Sequence, residues 1–214
     1  SRGLGDVYKR QARNKPTDER INFIYCDVSN RDTIEFSISQ IIEEQGRLDC
    51  IVNNAGVGIS GPVEYEPADD IERIINVNLL GVVNSSAVAL PHLRESKGMI
   101  VNISSVASEY PIPFQALYTA TKAGVKGFSL ALKNEVRPLG VRVTCLLPGD
   151  VKTDFTKNRV KANEEQDTVY RERVERSVAR MEKDEQNGMS PWDIAAAVCL
   201  SLIHISEPTR RTPI

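Results

Sequence analysis

Short apolar runs alternate along this chain with longer segments in which apolar residues recur at helical spacing. The short runs are rich in β-branched residues and predict strands at Ile21–Cys26, Leu48–Asn53, Met99–Ile103 and Arg142–Leu147. The longer segments predict helices over Asp32–Gln45, Pro67–Asn76, Leu79–Arg94, Tyr118–Arg137 and Thr168–Lys183, with a further helix that starts at Ser190. Strands that alternate with helices in this way are typical of an α/β domain built on a parallel sheet.

Length, charge and cysteine content narrow the class of protein. The 214 residues suffice for one domain with a sizeable core. A formal net charge of −2 gives no strong attraction to nucleic acid or anionic membranes, so neither is an expected partner. The four cysteines lie far apart without a CxxC pair, which favours reduced thiols and gives no indication of a metal site. No apolar run reaches the roughly 18 residues that span a bilayer, and no signal peptide is visible, so we expect a soluble cytoplasmic protein.

The two ends of the chain are related to each other through DNA. One DNA string encodes residues 1–11, and its reverse complement encodes residues 200–210 in frame. The string resembles the transposase adapter used in preparing sequencing libraries, so we expect a reading frame that crosses a metagenomic insert between two adapters. The sequence therefore predicts a partial domain at residues 12–199, flanked by adapter-derived residues 1–11 and 200–214.

Tyr118 and Lys122 stand four residues apart on one predicted helix, so their side chains leave the same face. A free tyrosine has a pKa of about 10, which is too high for easy proton exchange at neutral pH. A lysine ammonium one turn away favours the phenolate and lowers that pKa. The tyrosine can then donate or accept an alcohol proton while a hydride moves. Because the same spacing is common on solvated helix faces, the pair alone does not identify a function.

Further polar and small residues follow the predicted strands. Ser105 comes just after one strand, where a hydroxyl can hydrogen-bond a substrate oxygen, although turn and cap serines are common there. The small residues of Asn53–Gly56 allow a flat ligand to approach the backbone closely. Asn78 can brace a helix kink or hold a water, and Pro148-Gly149 ends a strand shortly before Thr153.

These segments belong to five motifs whose order and spacing resemble the short-chain dehydrogenase/reductase family over essentially all of residues 12–199. The motifs are NNAG at Asn53–Gly56, NVN at Asn76–Asn78, VNISS at Val101–Ser105, YTATK at Tyr118–Lys122 and PGDVKT at Pro148–Thr153. The resemblance implies a Rossmann-type doubly wound parallel sheet in three α/β/α layers, here lacking the first strand, the first helix and most of the second strand. It also implies an NAD(P)-dependent oxidoreductase that transfers a hydride between the cofactor and a carbonyl or secondary alcohol.

The resemblance assigns a role to each catalytic residue. Tyr118 would be the general acid/base, and Lys122 would lower its pKa and hydrogen-bond the nicotinamide ribose. Ser105 would polarise the carbonyl and, with Tyr118, hold the substrate. Asn78 would hold a water that links Lys122 to solvent as a proton relay.

The residues that the resemblance assigns to the cofactor run from the adenine end to the nicotinamide end. They are Asp27 and Val28 beside the adenine, Asn53, Ala55 and Gly56 on the adenosine side, and Tyr118, Lys122, Pro148, Gly149, Val151 and Thr153 at the nicotinamide.

One family feature is not found where it belongs. The glycine-rich phosphate loop should precede Ala12, and Gly3 and Gly5 fall in the adapter-derived segment. Gly56–Gly61 matches the G-x-G-x-x-G string, but Pro62 follows and no clean helix opens there, so we do not assign it to phosphate. The chain as written is therefore expected to bind cofactor poorly and to be inactive.

Arg13 favours NADP(H) over NAD(H) as the cofactor. It lies about where the second strand of the family ends, and a basic residue there resembles the family's contact with the 2′-phosphate. An ordinary loop arginine is the alternative interpretation.

The substrate is the least determined property. The charged stretch Asp154–Gly188 corresponds to the segment that covers the pocket in this family, and it fits either a mobile lid or a solvated surface helix. The chain loosely resembles members that act on steroids, retinoids and acyl-glycerone phosphates, an analogy that does not fix function.

Two other functions stay open. A non-catalytic NAD(P)-binding regulatory protein is one, although such a protein has no need of the four catalytic residues. An epimerase or dehydratase of the extended branch is the other, and NNAG with Asn78 argues against it. The full-length protein is expected, by resemblance, to form a homodimer or homotetramer through Leu79–Arg94 and Tyr118–Arg137.

Overall fold

Seven strands and six helices are formed by the residues that this computed structural model describes, which are 9–12, 21–153, 159–161 and 169–203. The strands are β1 Lys9–Ala12, β2 Asn22–Tyr25, β3 Cys50–Asn53, β4 Ile59–Ser60, β5 Met99–Ile103, β6 Arg142–Leu146 and β7 Val160–Lys161. The helices are α1 Arg31–Gln45, α2 Ala68–Ile75, α3 Gly81–Ser96, α4 Ala116–Val136, α5 Arg171–Gln186 and α6 Pro191–Ile203.

The strands pair in three parallel ladders. The central sheet has the order β3-β5-β6, and Val101 of β5 lies between Val52 and Thr144 in its register. β1 pairs with β2, and β4 pairs with β7. Among the described residues, no strand joins the first ladder to the central sheet and no helix precedes α1. β1 includes Lys9–Gln11, which the sequence assigned to an adapter, so the boundary at residue 12 stays a prediction.

The central sheet carries helices on both faces, as the alternating pattern predicted. On one face, α1, α3 and α4 cover a core whose fully buried members include Ile34, Ile38, Leu93, Ile100 and Val136. On the other face, α6 packs through Val198 and Leu202 on Met99, Val101 and Ile103. All five residues of β5 are therefore buried, as expected for a central parallel strand covered on both sides.

The two helices predicted over Pro67–Asn76 and Leu79–Arg94 are one continuous helix. A π-helical turn over Asn76–Leu80 joins α2 to α3, so the predicted break between them was wrong. A π turn adds one residue to the helix and offsets the apolar pattern on either side of it. Because of this offset, the apolar pattern of the sequence indicates two helices although the backbone forms one.

By length and composition, the continuous helix Ala68–Ser96 is the one described helix that could cross a membrane. Within its most apolar window, 39% is buried inside the protein. It packs against α1, β3 and α4, as core helices of folded domains do, so its apolar character is weak evidence for a membrane span.

Candidate active site

The predicted catalytic segments meet at the carboxyl end of the central sheet. The loop after β5 is tied to the loop after β6, because Ser104 N donates to Leu146 O at 2.8 Å and Val106 N donates to Pro148 O at 2.9 Å. The Ser104 hydroxyl also donates to the Lys122 carbonyl on α4 at 2.8 Å. Parallel sheets of this kind bind ligands outside the carboxyl ends of their strands.

Tyr118, Lys122 and Ser105 form a compact group at this edge. The Tyr118 phenol and the Ser105 side chain are hydrogen-bonded. Lys122 Nζ lies 5.7 Å from the centroid of the Tyr118 ring and donates to Ile103 O at 2.9 Å. Ser105 begins a short 3₁₀ turn, where its hydroxyl accepts from Ala107 N at 3.1 Å. The structure thus brings together three of the four residues that the sequence assigned to catalysis.

Burial dominates the proton affinities of this group. It raises the pKa of Tyr118, an effect that the hydrogen bond with Ser105 partly opposes. Burial also lowers the pKa of Lys122 to about 8. The pKa of Tyr118 therefore lies above its usual value in this state of the protein, because the cost of burying a phenolate outweighs the influences that oppose it. The lowering of this pKa by Lys122 stays a prediction.

Asn78 lies fully buried in the π turn and acts as a clamp on the loop after β3. Its Oδ1 accepts from Val57 N at 2.8 Å, and its Nδ2 donates to Val57 O at 2.9 Å. A Cβ placed on Gly56 would lie 3.5 Å from Asn78 Oδ1 and 3.7 Å from Lys122 Nζ, so Asn78 lies in the same region as Lys122. These contacts hold the loop after β3, and the two roles that the sequence allowed for Asn78, bracing a helix kink and holding a water, stay predictions.

The Asn53 side chain faces into the fold. Its Nδ2 donates to Ser86 Oγ at 3.1 Å and to Asn102 Oδ1 at 2.8 Å, and Asn102 donates in turn to Ser129 Oγ. This buried network joins β3, β5, α3 and α4. Any contact of Asn53 with a cofactor therefore falls to its backbone, and its place on the adenosine side stays a prediction.

The other predicted cofactor residues fit a flat ligand along this edge. Ala55 and Gly56 are exposed, and a Cβ added at Gly149 would meet nothing within 4 Å. Pro148, Gly149 and Val151 are half-buried, and Thr153 is exposed. These positions leave room for a flat ligand, and their contact with a cofactor stays a prediction.

At the adenine end, the two predicted residues are held by their neighbours. Asp27 accepts from Ser29 N at 3.0 Å and from Ser29 Oγ at 2.7 Å. Val28 is half-buried and lies against α3, where a Cβ on Gly81 would approach it to 3.1 Å. Arg13, on which the choice of NADP(H) depends, lies outside the described residues.

The G-x-G-x-x-G string at Gly56–Gly61 does not open a helix. Ile59 and Ser60 form β4, Val63–Tyr65 form a 3₁₀ turn, and the next α-helix begins at Ala68. The expectation that no helix opens after this string is confirmed, and a phosphate loop needs a helix N-terminus directly after it.

Three charged residues near Tyr118 were missed in the sequence. Arg159, Glu185 and Asp150 all act on the pKa of Tyr118, Arg159 by lowering it and the two carboxylates by raising it. Arg159 and Glu185 fall in the stretch Asp154–Gly188, of which residues 154–158 and 162–168 lie outside the described part of the chain. Asp150 stands in the PGDVKT motif but was given no role there, whereas no motif includes Arg159 or Glu185. The only signal for those two was the charge of the stretch Asp154–Gly188.

Two clefts of about 440 and 470 Å³ adjoin Phe114, and neither is lined by Tyr118, Ser105 or Lys122. Phe114 has a φ of 63°, in the left-handed region that side chains rarely adopt. Its ring meets Tyr170 edge-on at 6.3 Å between centroids, and the Arg173 guanidinium lies over it at 5.6 Å. These clefts therefore flank the catalytic group but do not contain it.

Replacing Gly188 with alanine is expected to destabilise the loop that carries Asp150. A Cβ at Gly188 would lie 2.4 Å from Asp150 O, so the backbone there must move, at a cost of about 1–3 kcal/mol. Gly127→Ala is the matched control: it lies inside α4 with nothing within 4 Å of its Cβ, and alanine should stabilise the helix by about 0.5–1 kcal/mol. Urea unfolding of both variants measures the two effects, and equal values would contradict the close contact.

Comparisons with known proteins agree with this geometry. A family model described as short chain dehydrogenase matches residues 5–164, a range that begins inside the segment assigned to an adapter. The 3-ketodihydrosphingosine reductase of Bacteroides thetaiotaomicron is 37% identical over 200 residues, which make up 92% of this chain and 74% of that protein. The 3-oxoacyl-[acyl-carrier-protein] reductase of Chlamydia trachomatis is 36% identical over 149 residues, with 69% and 60% covered.

Solved structures give the same result for the fold. A short-chain dehydrogenase from Streptomyces avermitilis has a TM-score of 0.81 at 26% identity, with 95% of this chain and 77% of that chain covered. An alcohol dehydrogenase from Thermococcus sibiricus, complexed with 5-hydroxy-NADP, has a TM-score of 0.68 at 26% identity, with 86% and 70% covered. The predicted Rossmann-type doubly wound α/β/α architecture is confirmed.

Proposed function

The chain belongs to the short chain dehydrogenase family of oxidoreductases, and from that premise we propose that it transfers a hydride between a nicotinamide cofactor and a carbonyl or secondary alcohol. The observation that supports this proposal is the half-buried Tyr118 phenol, which is hydrogen-bonded to Ser105 and lies one helical turn from Lys122. A proton donor in this position serves a reaction in which a ketone oxygen becomes a hydroxyl.

In the direction of reduction, the proposed roles divide among four side chains. Ser105 holds the carbonyl oxygen of the substrate, and Tyr118 donates the proton that this oxygen takes up. The Lys122 ammonium, fixed by Ile103 O, stabilises the phenolate that is left behind. Asn78 keeps the loop after β3 in place and, in the family's scheme, holds the water that returns the proton from solvent.

A bound nicotinamide cofactor would supply the hydride. We propose that Ala55, Gly56 and the backbone of Asn53 hold its adenosine side, and that Pro148, Gly149, Val151 and Thr153 hold its nicotinamide end. NADP(H) is proposed over NAD(H) because of Arg13, and the Thermococcus neighbour is complexed with 5-hydroxy-NADP. Asp27 and Val28 would flank the adenine.

The substrate is proposed to be a ketone at position 3 of a longer chain. The two curated relatives are named as reductases of 3-ketodihydrosphingosine and of a 3-oxoacyl group, and both names specify that position. We propose cytoplasmic action as a homodimer or homotetramer. The regulatory alternative differs in one property: it requires cofactor binding without turnover.

The test is a reductase assay with 3-ketodihydrosphingosine, NADPH and NADH. Because the match covers 74% of the Bacteroides reductase, the assay uses both this chain and a hybrid completed with the unmatched parts of that relative. Loss of reduced-nicotinamide absorbance that depends on the ketone, with the alcohol identified by mass spectrometry, is the expected result for the hybrid.

Each other outcome has a distinct meaning. Tight NADPH binding without turnover over a panel of ketones would favour the regulatory alternative. Conversion of a sugar nucleotide without net use of reduced cofactor would favour the epimerase alternative. If the hybrid showed neither cofactor binding nor turnover, the proposed function would be refuted.

A further inference from the structure

Arg159 and Glu185 form a buried ion pair between two segments that hydrogen-bond to the loops after β3 and β6. Arg159 Nη2 is paired with Glu185 Oε1, and the two side chains are 1% and 13% exposed. Charges that are buried to this degree are costly unless they are paired, so a pair in this place needs a reason beyond solubility. The two residues are 26 positions apart in the sequence and lie on different elements.

The pair connects two pieces of chain that border the catalytic group. Arg159 directly precedes β7, which pairs with β4 in the loop region after NNAG, and Val160 N donates to Gly58 O at 3.0 Å. Glu185 lies in the last turn of α5, directly before the segment that pairs with the loop after β6. There Met189 N donates to Asp150 O at 2.9 Å and Lys152 N donates to Met189 O at 3.0 Å.

Both charges act electrostatically on the pKa of Tyr118. The Glu185 carboxylate raises the pKa of Tyr118 and the Arg159 guanidinium lowers it, so their influences oppose each other. The other groups that face this phenol are Ser105, Lys122 and Asp150. Asp150 in turn is affected by Asp184, Glu185 and Arg159, which places all these charges in one electrostatic group.

We propose that Arg159 and Glu185 are positioning residues of the active site, which join the segment before β7 to the end of α5 and present the Tyr118 hydroxyl with two compensating charges. Neither residue needs to touch the substrate for this role. The proposal rests on the proposed function only in taking Tyr118 as the proton donor.

Direct titration of Tyr118 tests the proposal without turnover or cofactor. The chain is labelled at its tyrosine rings, the Tyr118 signal is assigned with Tyr118→Phe, and the phenolate fraction is read by NMR at the highest pH at which every variant keeps its circular dichroism spectrum. We expect a larger phenolate fraction than wild type in Glu185→Gln and a smaller one in Arg159→Gln. The double variant should return toward wild type, and Arg159→Lys, which keeps the charge, should resemble wild type.

A purely structural pair would behave differently. If the pair only held the two segments together, both single variants would change the phenolate fraction of Tyr118 in the same direction. The double variant would then differ from wild type at least as much as either single variant. That result, or no change in any variant, would overturn the proposal. Glu35→Gln, which breaks the exposed Arg31–Glu35 pair on α1, is the matched control and should leave the Tyr118 signal unchanged.

Two provisions keep the test decisive. If Arg159→Gln does not fold, Glu185→Gln and Arg159→Lys are compared instead. The first removes a charge from the pair, whereas the second keeps the charge and changes only the side chain that makes the contact. Asp150 is ionised in every variant at alkaline pH, so its own titration does not enter. Failure of the reductase assay leaves this measurement readable, and the two proposals can therefore fail separately.

Discussion

Replacing Tyr118 with phenylalanine is expected to lower kcat by about two to four orders of magnitude, the range that a positioned acid/base group contributes. The substitution removes one oxygen from a half-buried ring, so the fold should accept it. Cofactor binding should be retained, because the Lys122 and Ser105 side chains stay in place. Steady-state kinetics and cofactor titration of the hybrid enzyme measure the two quantities.

Tyr110→Phe is the control for this experiment. Tyr110 is 76% exposed and lies on the loop between Ser105 and Tyr118, so the loss of its hydroxyl should leave kcat unchanged. Turnover by the Tyr118 variant at a rate close to wild type would refute the assigned mechanism.

Replacing Lys122 with methionine is expected to reduce activity and to raise stability at neutral pH. Turnover should fall by about two to three orders of magnitude, because the ammonium that favours the phenolate is lost. The free energy of unfolding should rise, because methionine fills a similar volume without a buried charge. Residues that are needed for activity often lower the free energy of unfolding of the protein.

The pH dependence of this gain follows from the lowered pKa of Lys122. Its pKa is about 8 in the folded chain against an ordinary value of 10.5. Below pH 8 the folded state carries the full cost of the buried charge, on the order of 3 kcal/mol. Between pH 8 and 10.5 the unfolded chain binds more protons than the folded one, so wild-type stability rises with pH and the advantage of methionine shrinks.

Urea unfolding of both proteins between pH 6.5 and 10, a range that includes the lowered pKa of Lys122, measures this difference. Lys126→Met is the control on the same helix: Lys126 is partly exposed and paired with Glu109, so its replacement should cause a small change without this pH dependence. A constant gap between wild type and the Lys122 variant would contradict the lowered pKa.

The local pattern was enough to predict most of the fold. Strand β5 was predicted with its observed bounds, and Val125, Leu132 and Val136 lie on the buried side of α4 as their spacing indicated. The helix start at Ser190 was also predicted, and the structure shows Trp192 N donating to Ser190 Oγ while Ser190 N donates to Asp193. Each of these features depends on residues that are close in sequence.

Features that depend on distant partners were not predicted. The inward direction of the Asn53 amide follows from Ser86 and Asn102, which only the fold brings near it. The raised pKa of Tyr118 follows from burial, whereas the sequence displays only the neighbouring lysine. Arg159 and Glu185 form their ion pair only when the fold brings the segment before β7 and the end of α5 together.

The short ladder between β4 and β7 separates two parts of the site. The proposed proton-transfer groups are fixed by the central sheet and α4. The segment that carries Arg159 comes later in the chain and attaches through a few backbone hydrogen bonds. Such a division makes the protein modular. Evolution, or a protein engineer, can exchange the later piece to accommodate new molecules, provided that the charges which Arg159 and Glu185 present to Tyr118 stay balanced.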